Sequence, residues 1–355
     1  MARQLMTLIA EIAVPVGALN LDLNLKVDRE SVVALVGPNG AGKTTLVRAL
    51  AGLLPIQRGR VAIDGTVVED PANNVRIPPE QRNIGVVFQE HRLFDNLTAI
   101  ENVAFGLRAR GTPKRLARDK AQEWLSHVGL PEVGDRRPRH LSGGQSQRVA
   151  LARAMAIQPS VLLLDEPLAA VDAAARAELR HLLREELATY PGARLVVTHD
   201  PVEAAALAQW LIVLEDGRIT QQGPLVEVTA RPRSAWVATM VGLNLLTGIA
   251  ERTTVRLDNG EVITTATDGS GPTFVAIRPN AITLHRHAPE SSARNLWAGD
   301  AGELNFTGDR ARLRINGPVP LIAEVTPAAV AELHLADGGP IWASVKATDV
   351  DTYPA

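Results

Sequence analysis

The nine residues Gly37-Pro38-Asn39-Gly40-Ala41-Gly42-Lys43-Thr44-Thr45 have the types and spacing needed to grip phosphate. Glycines there let the backbone bend until several N–H groups converge on one concavity. A helix starting at that point adds the positive end of its dipole. From such a cradle Lys43 reaches the outer phosphates, and the Thr44 hydroxyl can hold Mg²⁺. Further on, Val161-Leu162-Leu163-Leu164 ends in the adjacent carboxylates Asp165 and Glu166. Asp165 suits Mg²⁺ through water, and Glu166 suits polarising an attacking water. Between them, Ser142 is placed to cap a helix whose first residues, Gly143, Gly144 and Gln145, expose backbone N–H groups to a second anion. An ordinary capped helix accounts for the same residues. Together the first two groups point to binding and hydrolysis of a nucleoside triphosphate.

Positioning these groups requires a particular frame. The cradle follows the apolar run Val32–Val36 and precedes Leu46-Val47-Arg48-Ala49-Leu50, a strand–loop–helix order. Further strands are expected at 84–88, 161–164, 195–198 and 211–215, several apolar throughout, as in a parallel sheet covered on both faces. Asp216-Gly217 signals a closing hairpin. Residues 92–155 read as mainly helical, with one helix from Leu116 to Val128 and breaks at Pro131 and Pro138. After Arg231-Pro232-Arg233 the pattern becomes short strands and turns, with Asp258-Asn259-Gly260 and Asp268-Gly269-Ser270-Gly271-Pro272 as turn signals. The fold class is therefore α/β over 1–235, followed by a small all-β barrel or sandwich over 236–355.

Composition narrows the partners. The 355-residue chain is 46% hydrophobic with a net charge of −2, so it has no global basic field for nucleic acid. It contains no cysteine, which removes disulfides, thiolate metal sites and thiol catalysis. The opening apolar stretch is interrupted at Glu11, short of a signal-peptide core, and no uninterrupted apolar run approaches the length of a span. Work at a membrane would go through a partner.

The string Leu141-Ser142-Gly143-Gly144-Gln145, lying between a phosphate loop and Leu162-Leu163-Leu164-Asp165-Glu166-Pro167, resembles the signature of ATP-binding-cassette (ABC) ATPases. The resemblance covers residues 1 to about 235 and implies a P-loop NTPase fold with a helical subdomain. It implies ATP and Mg²⁺ as cofactors. Gln89 then corresponds to the glutamine that touches Mg²⁺ and senses the transmembrane partner, Asp172 to the loop that communicates across a dimer, and His199 to the histidine that contacts the γ-phosphate. Without the family, Gln89 reads as a surface residue and His199 as a capped strand end. The resemblance also implies a head-to-tail homodimer in which Ser142, Gly144 and Gln145 of one copy close over ATP held by the other. The chain departs from the family in having no aromatic residue before Phe88 to stack on adenine. An aliphatic residue near Ile12 or Val14 is the expected cover, at a cost of about 1 kcal/mol in lost stacking.

The second region resembles the oligomer-binding-type (TOBE/Mop) barrels of importer ATPases, through Ile277-Arg278-Pro279-Asn280. Asn244-Leu245-Leu246 is similar to the entry of the regulatory domain in molybdate importers. Ser292-Ala293-Arg294-Asn295 and Lys346-Ala347-Thr348 resemble the paired motifs of molybdate-binding Mop domains, here within about 291–353. Hydroxyls, backbone N–H groups and cations are what a tetrahedral oxyanion needs. The resemblance implies the ATPase of a molybdate or tungstate importer, peripheral on the cytoplasmic face of the membrane. Its partners would be two permease subunits and, indirectly, an extracytoplasmic substrate-binding protein. Alternatives are a sulfate or other importer, a soluble oxyanion sensor or store, and a soluble ABC protein acting on DNA or ribosomes. The last usually carries two cassettes, a coiled coil or basic arms, none of which is visible here.

Overall fold

Apolar, β-branched runs build the central sheet of the computed structural model, which describes residues 6–29, 32–90, 92–169 and 171–355. The sequence readings at 1–5 and at Ala170 lie outside the described residues. Across the sheet the order is Arg218–Pro224, Trp210–Glu215, Val32–Val36, Ala193–Val197, Val161–Asp165 and Ile84–Val87. The last five are parallel, and Arg218–Pro224 returns antiparallel from the Asp216-Gly217 turn, where both φ values are positive, 48° and 78°. Val32–Val36, Val161–Asp165 and Ala193–Val197 are buried at every residue, as two-sided cover demands. Because the strands run parallel, the residues that follow Val36, Val87, Asp165 and Val197 emerge at one edge.

The sequence reading has no counterpart to a second, antiparallel sheet, ordered Leu19–Asp28, Met6–Val16, Arg58–Ile63, Thr66–Asp70, Val75–Arg76. In Leu19–Asp28 the residues Leu21, Leu23, Leu25 and Val27 face inward and their neighbours face outward. That face joins Val33, Leu46, Leu163 and Leu195 in one core. Beneath the helix Lys43–Leu50, the buried Arg82 guanidinium donates to the carbonyls of Ala49, Leu50 and Ile77 and to the Glu69 carboxylate. Glu69 also accepts from the Ile56 amide at 2.9 Å. Among them, the bond to Leu50 supplies a donor to a carbonyl at the helix end, and the bond to Ala49 adds to the one its carbonyl already accepts from the Gly52 amide.

Three helices, Ala99–Ala109, Lys114–His127 and Gly143–Ala156, pack on one another through Val103, Leu107, Ala121, Leu125 and Val149. Thr98 and Glu101 form a reciprocal capping box at the first. Asn102, fully buried, accepts from the Phe94 amide and donates to the carbonyls of Phe94, Leu97 and Thr98.

The chain divides into compact units of residues 1–226 and 227–355, ahead of the boundary expected near 235. The helix Ala235–Val241 belongs with the second unit, where the Tyr353 hydroxyl also donates to the Pro232 carbonyl. That unit holds a three-stranded sheet, Asn244–Leu257, Val262–Ile277 and Val350–Pro354, and a five-stranded one, Thr283–His285, Gly339–Val345, Asn295–Thr307, Arg310–Asn316 and Leu321–Val325. Both contribute to one core. Residues 268–272 do not turn, as their glycines and proline suggest. They continue the strand Val262–Ile277, held in register against 249–252. The thirteen-residue strand Asn295–Thr307 was likewise unsignalled, because its glycines interrupt the alternation.

Candidate functional site

The phosphate loop follows the strand Val32–Val36 directly, and its shape depends on two glycines. A Cβ on Gly37 would lie 2.0 Å from the Leu214 carbonyl oxygen, so no side chain fits there. Gly42 caps the helix at φ 104°, a conformation costly to other residues. The helix starts at Lys43, three residues before the first residue of the expected apolar run, so Thr44 and Thr45 lie in its first turn. Lys43 is 7% exposed, and its Nζ donates to the carbonyls of Gly37 (2.7 Å) and Pro38 (2.9 Å). Burial lowers its pKa from the ordinary 10.5, and the Glu166 and Asp165 carboxylates oppose that shift.

Asp165 ends the strand Val161–Asp165, separated from Val32–Val36 by Ala193–Val197, and its Oδ1 is buried without a hydrogen-bond partner among the described residues. Burial raises its pKa, while a hydrogen bond from the Thr44 hydroxyl lowers it. An orphaned carboxylate oxygen beside a hydroxyl is an oxygen donor set that fits Mg²⁺, which is commonly held by one or two carboxylates, water and phosphate. Gln89 is exposed, in a turn two residues beyond Ile84–Val87, the strand paired with Val161–Asp165. It is thereby brought to the same edge.

Glu166 adopts φ 48°, left-handed for a residue with a long side chain. Its amide donates to the Val197 carbonyl and its own carbonyl accepts from Ala169. His199 Nδ1 lies 3.3 Å from Glu166 Oε1, and the imidazole is 61% exposed. Lys43, Thr44, Asp165, Glu166 and His199 thus converge at the carboxyl edge of the parallel strands.

The structure does not place Ser142, Gly143, Gly144 and Gln145 at that edge. They open the helix Gly143–Ala156, where Ser142 Oγ accepts from the Gln145 amide and Gln145 Oε1 accepts from the Ser142 amide. The Gln145 side chain is therefore turned back onto its own cap. A Cβ on Gly144 would meet Val171 and Ala175 in ordinary contact, so this turn borders the Asp172 segment. Asp172 is exposed, and its Oδ1 accepts from the Ala175 amide at the start of Ala173–Thr189. Ile12 and Val14 cannot cover a base, because both point into the core, 3% and 2% exposed. Pro15 and Val16 are the exposed neighbours.

In the second unit, Asn295 pairs with Val345, so Arg294 and Lys346 flank adjacent ends of antiparallel strands. Ser292, Arg294, Lys346 and Thr348 are exposed and Ala347 is half-buried. The Asn295 side chain is committed elsewhere, accepting from the Thr264 amide (2.7 Å) and donating to its carbonyl (2.9 Å). Thr348 borders a cavity that also holds Arg278, Asp349 and Asp351.

The ABC transporter family profile matches residues 21–169, and the TOBE domain profile matches 291–351. The chain is 37% identical over 348 residues to the molybdenum import ATP-binding protein ModC of Mycobacterium tuberculosis, covering 94% of each chain. It belongs to the ABC transporter family. Another relative, the Fe(3+) ions import ATP-binding protein FbpC 1 of Rhizobium meliloti, is 38% identical over 317 residues, 86% of each chain. A solved ABC cassette, MJ0796, in a dimeric post-hydrolysis state bound to ADP and Pi, superposes with a TM-score of 0.54 at 29% identity, spanning 62% of this chain and 99% of that one. As an ABC ATPase of the import type the chain uses ATP and Mg²⁺. Among the described residues no helix is long and apolar enough to cross a membrane.

The sequence reading missed Thr198, Glu203 and Arg176, which share a cavity with Glu166 and His199. Asp200 followed by Glu203 imitates a capping box. In the structure Asp200 does cap the helix Pro201–Leu207, but Glu203 turns inward to the Thr198 hydroxyl.

Proposed function

We propose that this chain is the ATP-hydrolysing subunit of a binding-protein-dependent molybdate importer, acting as a homodimer on two membrane permease subunits at the cytoplasmic face. The convergence of Lys43, Thr44, Asp165, Glu166 and His199 on one sheet edge carries the hydrolytic part of this reading. ATP lies with its phosphates in the Gly37–Thr45 cradle. Glu166 orients a water for in-line attack, and Lys43 and His199 stabilise the charge that develops on the γ-phosphate. Thr44, Asp165 and Gln89 would hold Mg²⁺, which when bound neutralises charge on the phosphate oxygens. The Ser142–Gln145 turn, away from this edge in its own chain, serves the ATP of a second copy, with Asp172 beside it at the joint. The segment from Gln89 to Phe105 relays closure to the permease.

Molybdate, with tungstate as its chemical equivalent, is supported by the extent of similarity to the molybdenum import protein and by Arg294 and Lys346 at paired strand ends. Ser292, Ala347 and Thr348 complete that oxyanion site, while Asn295 holds its frame through Thr264. The near-equal identity to the Fe(3+) import protein favours a second reading, iron as cargo. Calorimetric titration of the full chain with molybdate and with sulfate, repeated with Arg294→Ala and Lys346→Ala, tests the oxyanion site. Uptake by vesicles containing the chain and its permease, driven by ATP, tests the cargo. Uptake of iron without molybdate would decide for the second reading.

A further inference from the structure

Glu203 lies just after the His199 turn and is 4% exposed. Its Oε2 accepts the Thr198 hydroxyl at 2.7 Å, and Thr198 Oγ1 in turn accepts from the Asp200 amide at 3.0 Å. Its Oε1 is buried with no hydrogen-bond partner among the described residues. This carboxyl borders a cavity of about 100 Å³, shared with Glu166, Arg176, Thr198, His199 and Asp200. The space is large and polar enough to admit water. Arg176 donates from Nη2 to the Val171 carbonyl at 3.1 Å, and its Nε is buried without a partner among the described residues. Val171 precedes Asp172 in the chain. One carboxyl therefore grips the turn that carries His199, and it shares a cavity with Glu166 and with the guanidinium that holds the Asp172 segment.

We propose that Glu203 is a positioning residue for ATP hydrolysis, fixing the Thr198–Asp200 turn so that His199 meets Glu166 and tuning by its charge how well negative charge is tolerated there. The proposal rests on the hydrolytic reading above. The groups facing Glu203 are Asp200 and His199 from the turn, Glu166 from the strand end, and Arg176 and Arg180 from Ala173–Thr189. Burial pushes its carboxyl from 4.5 up to about 7, with Asp200 adding to the shift and the Thr198 bond, His199 and Arg180 opposing it. Below that pH the cavity holds a neutral acid. Above it, a carboxylate stands beside a site that must accommodate charge growing on phosphate, so turnover falls.

The test uses the purified full-length chain with ATP and Mg²⁺, measuring kcat and KM across neutral pH. In the wild type kcat falls about five-fold through the titration of this group, as one added charge nearby would produce. Glu203→Gln keeps an acceptor for Thr198 and cannot ionise, so that alkaline fall disappears. Glu203→Ala removes the acceptor, so kcat drops about ten-fold with KM changed less than about two-fold. The Asp200 amide then exchanges with solvent about ten-fold faster. Glu203→Gln restores both values. Should Glu203→Ala fail to fold, Thr198→Val removes the same bond at equal size. An unchanged alkaline fall in Glu203→Gln, or wild-type kcat and Asp200 protection in the Ala or Val variant, overturns the proposal. A wild-type chain with no ATPase activity would instead refute the hydrolytic reading, and amide exchange would still decide the positioning role.

Discussion

Replacing Arg82 by Met probes the foundation under the phosphate loop. Arg82 and Glu69 have side chains 0% and 2% exposed, so the substitution strands a carboxylate in the core. Losing one partner of a buried pair costs about 3–5 kcal/mol. The carbonyls of Ala49, Leu50 and Ile77 lose their shared donor as well, adding about 1 kcal/mol if water reaches some of them. We expect a total near the middle of the sum, about 5 kcal/mol, in urea unfolding followed by Trp124 and Trp210 fluorescence. Both tryptophans belong to the unit of residues 1–226. The double variant Glu69→Gln with Arg82→Met carries no buried charge, and its amide oxygen still accepts from the Ile56 N–H. It should regain about 2 kcal/mol of the loss. A cost below about 1 kcal/mol for Arg82→Met, or a double variant no more stable than the single, would refute this account of the pair.

Glu166→Gln should retain ATP binding by equilibrium dialysis and lose about a hundred-fold or more in kcat, and wild-type turnover would remove Glu166 from its assigned role. Glu203 has a folded pKa raised from 4.5 to about 7, so its penalty is absent below the unfolded value and grows as pH rises through the folded one. Glu203→Gln should therefore match the wild-type Tm in mild acid and gain up to about 3 kcal/mol above pH 7, whereas a pH-independent difference would contradict that linkage. Asn102→Leu should cost about 2–3 kcal/mol and speed amide exchange at Phe94, since four backbone groups share that buried side chain. Unchanged exchange at Phe94 would show that the loop before the first helix is held by other contacts.

The chemistry-bearing runs were readable because each carries a strong local constraint. Gly37 and Gly42 serve a backbone path that side chains obstruct, and Val161–Leu164 is too apolar to be anything but interior. The antiparallel sheet was harder. Its alternation at Leu21, Leu23, Leu25 and Val27 is plain in the sequence, yet its partner Met6–Val16 mixes both faces, and the pairing to Arg58–Ile63 spans the phosphate loop. In the second unit, glycines at 269 and 271 imitate a turn although cross-strand pairing keeps both within one strand, Gly271 at φ 77°. Arg176 and Glu203 left no trace in sequence because their roles arise from helices that meet only after folding. Asn295 shows the opposite failure. The sequence suggests it as part of an oxyanion motif, whereas in the structure its amide is spent on Thr264.

The close approach of Leu214 to Gly37 has a mechanical consequence. Leu214 sits on the strand reached from His199 through a single short helix, so the histidine's stretch of chain also props the floor of the triphosphate bed. With no slack at that contact, the bed cannot sag independently of the strand behind it.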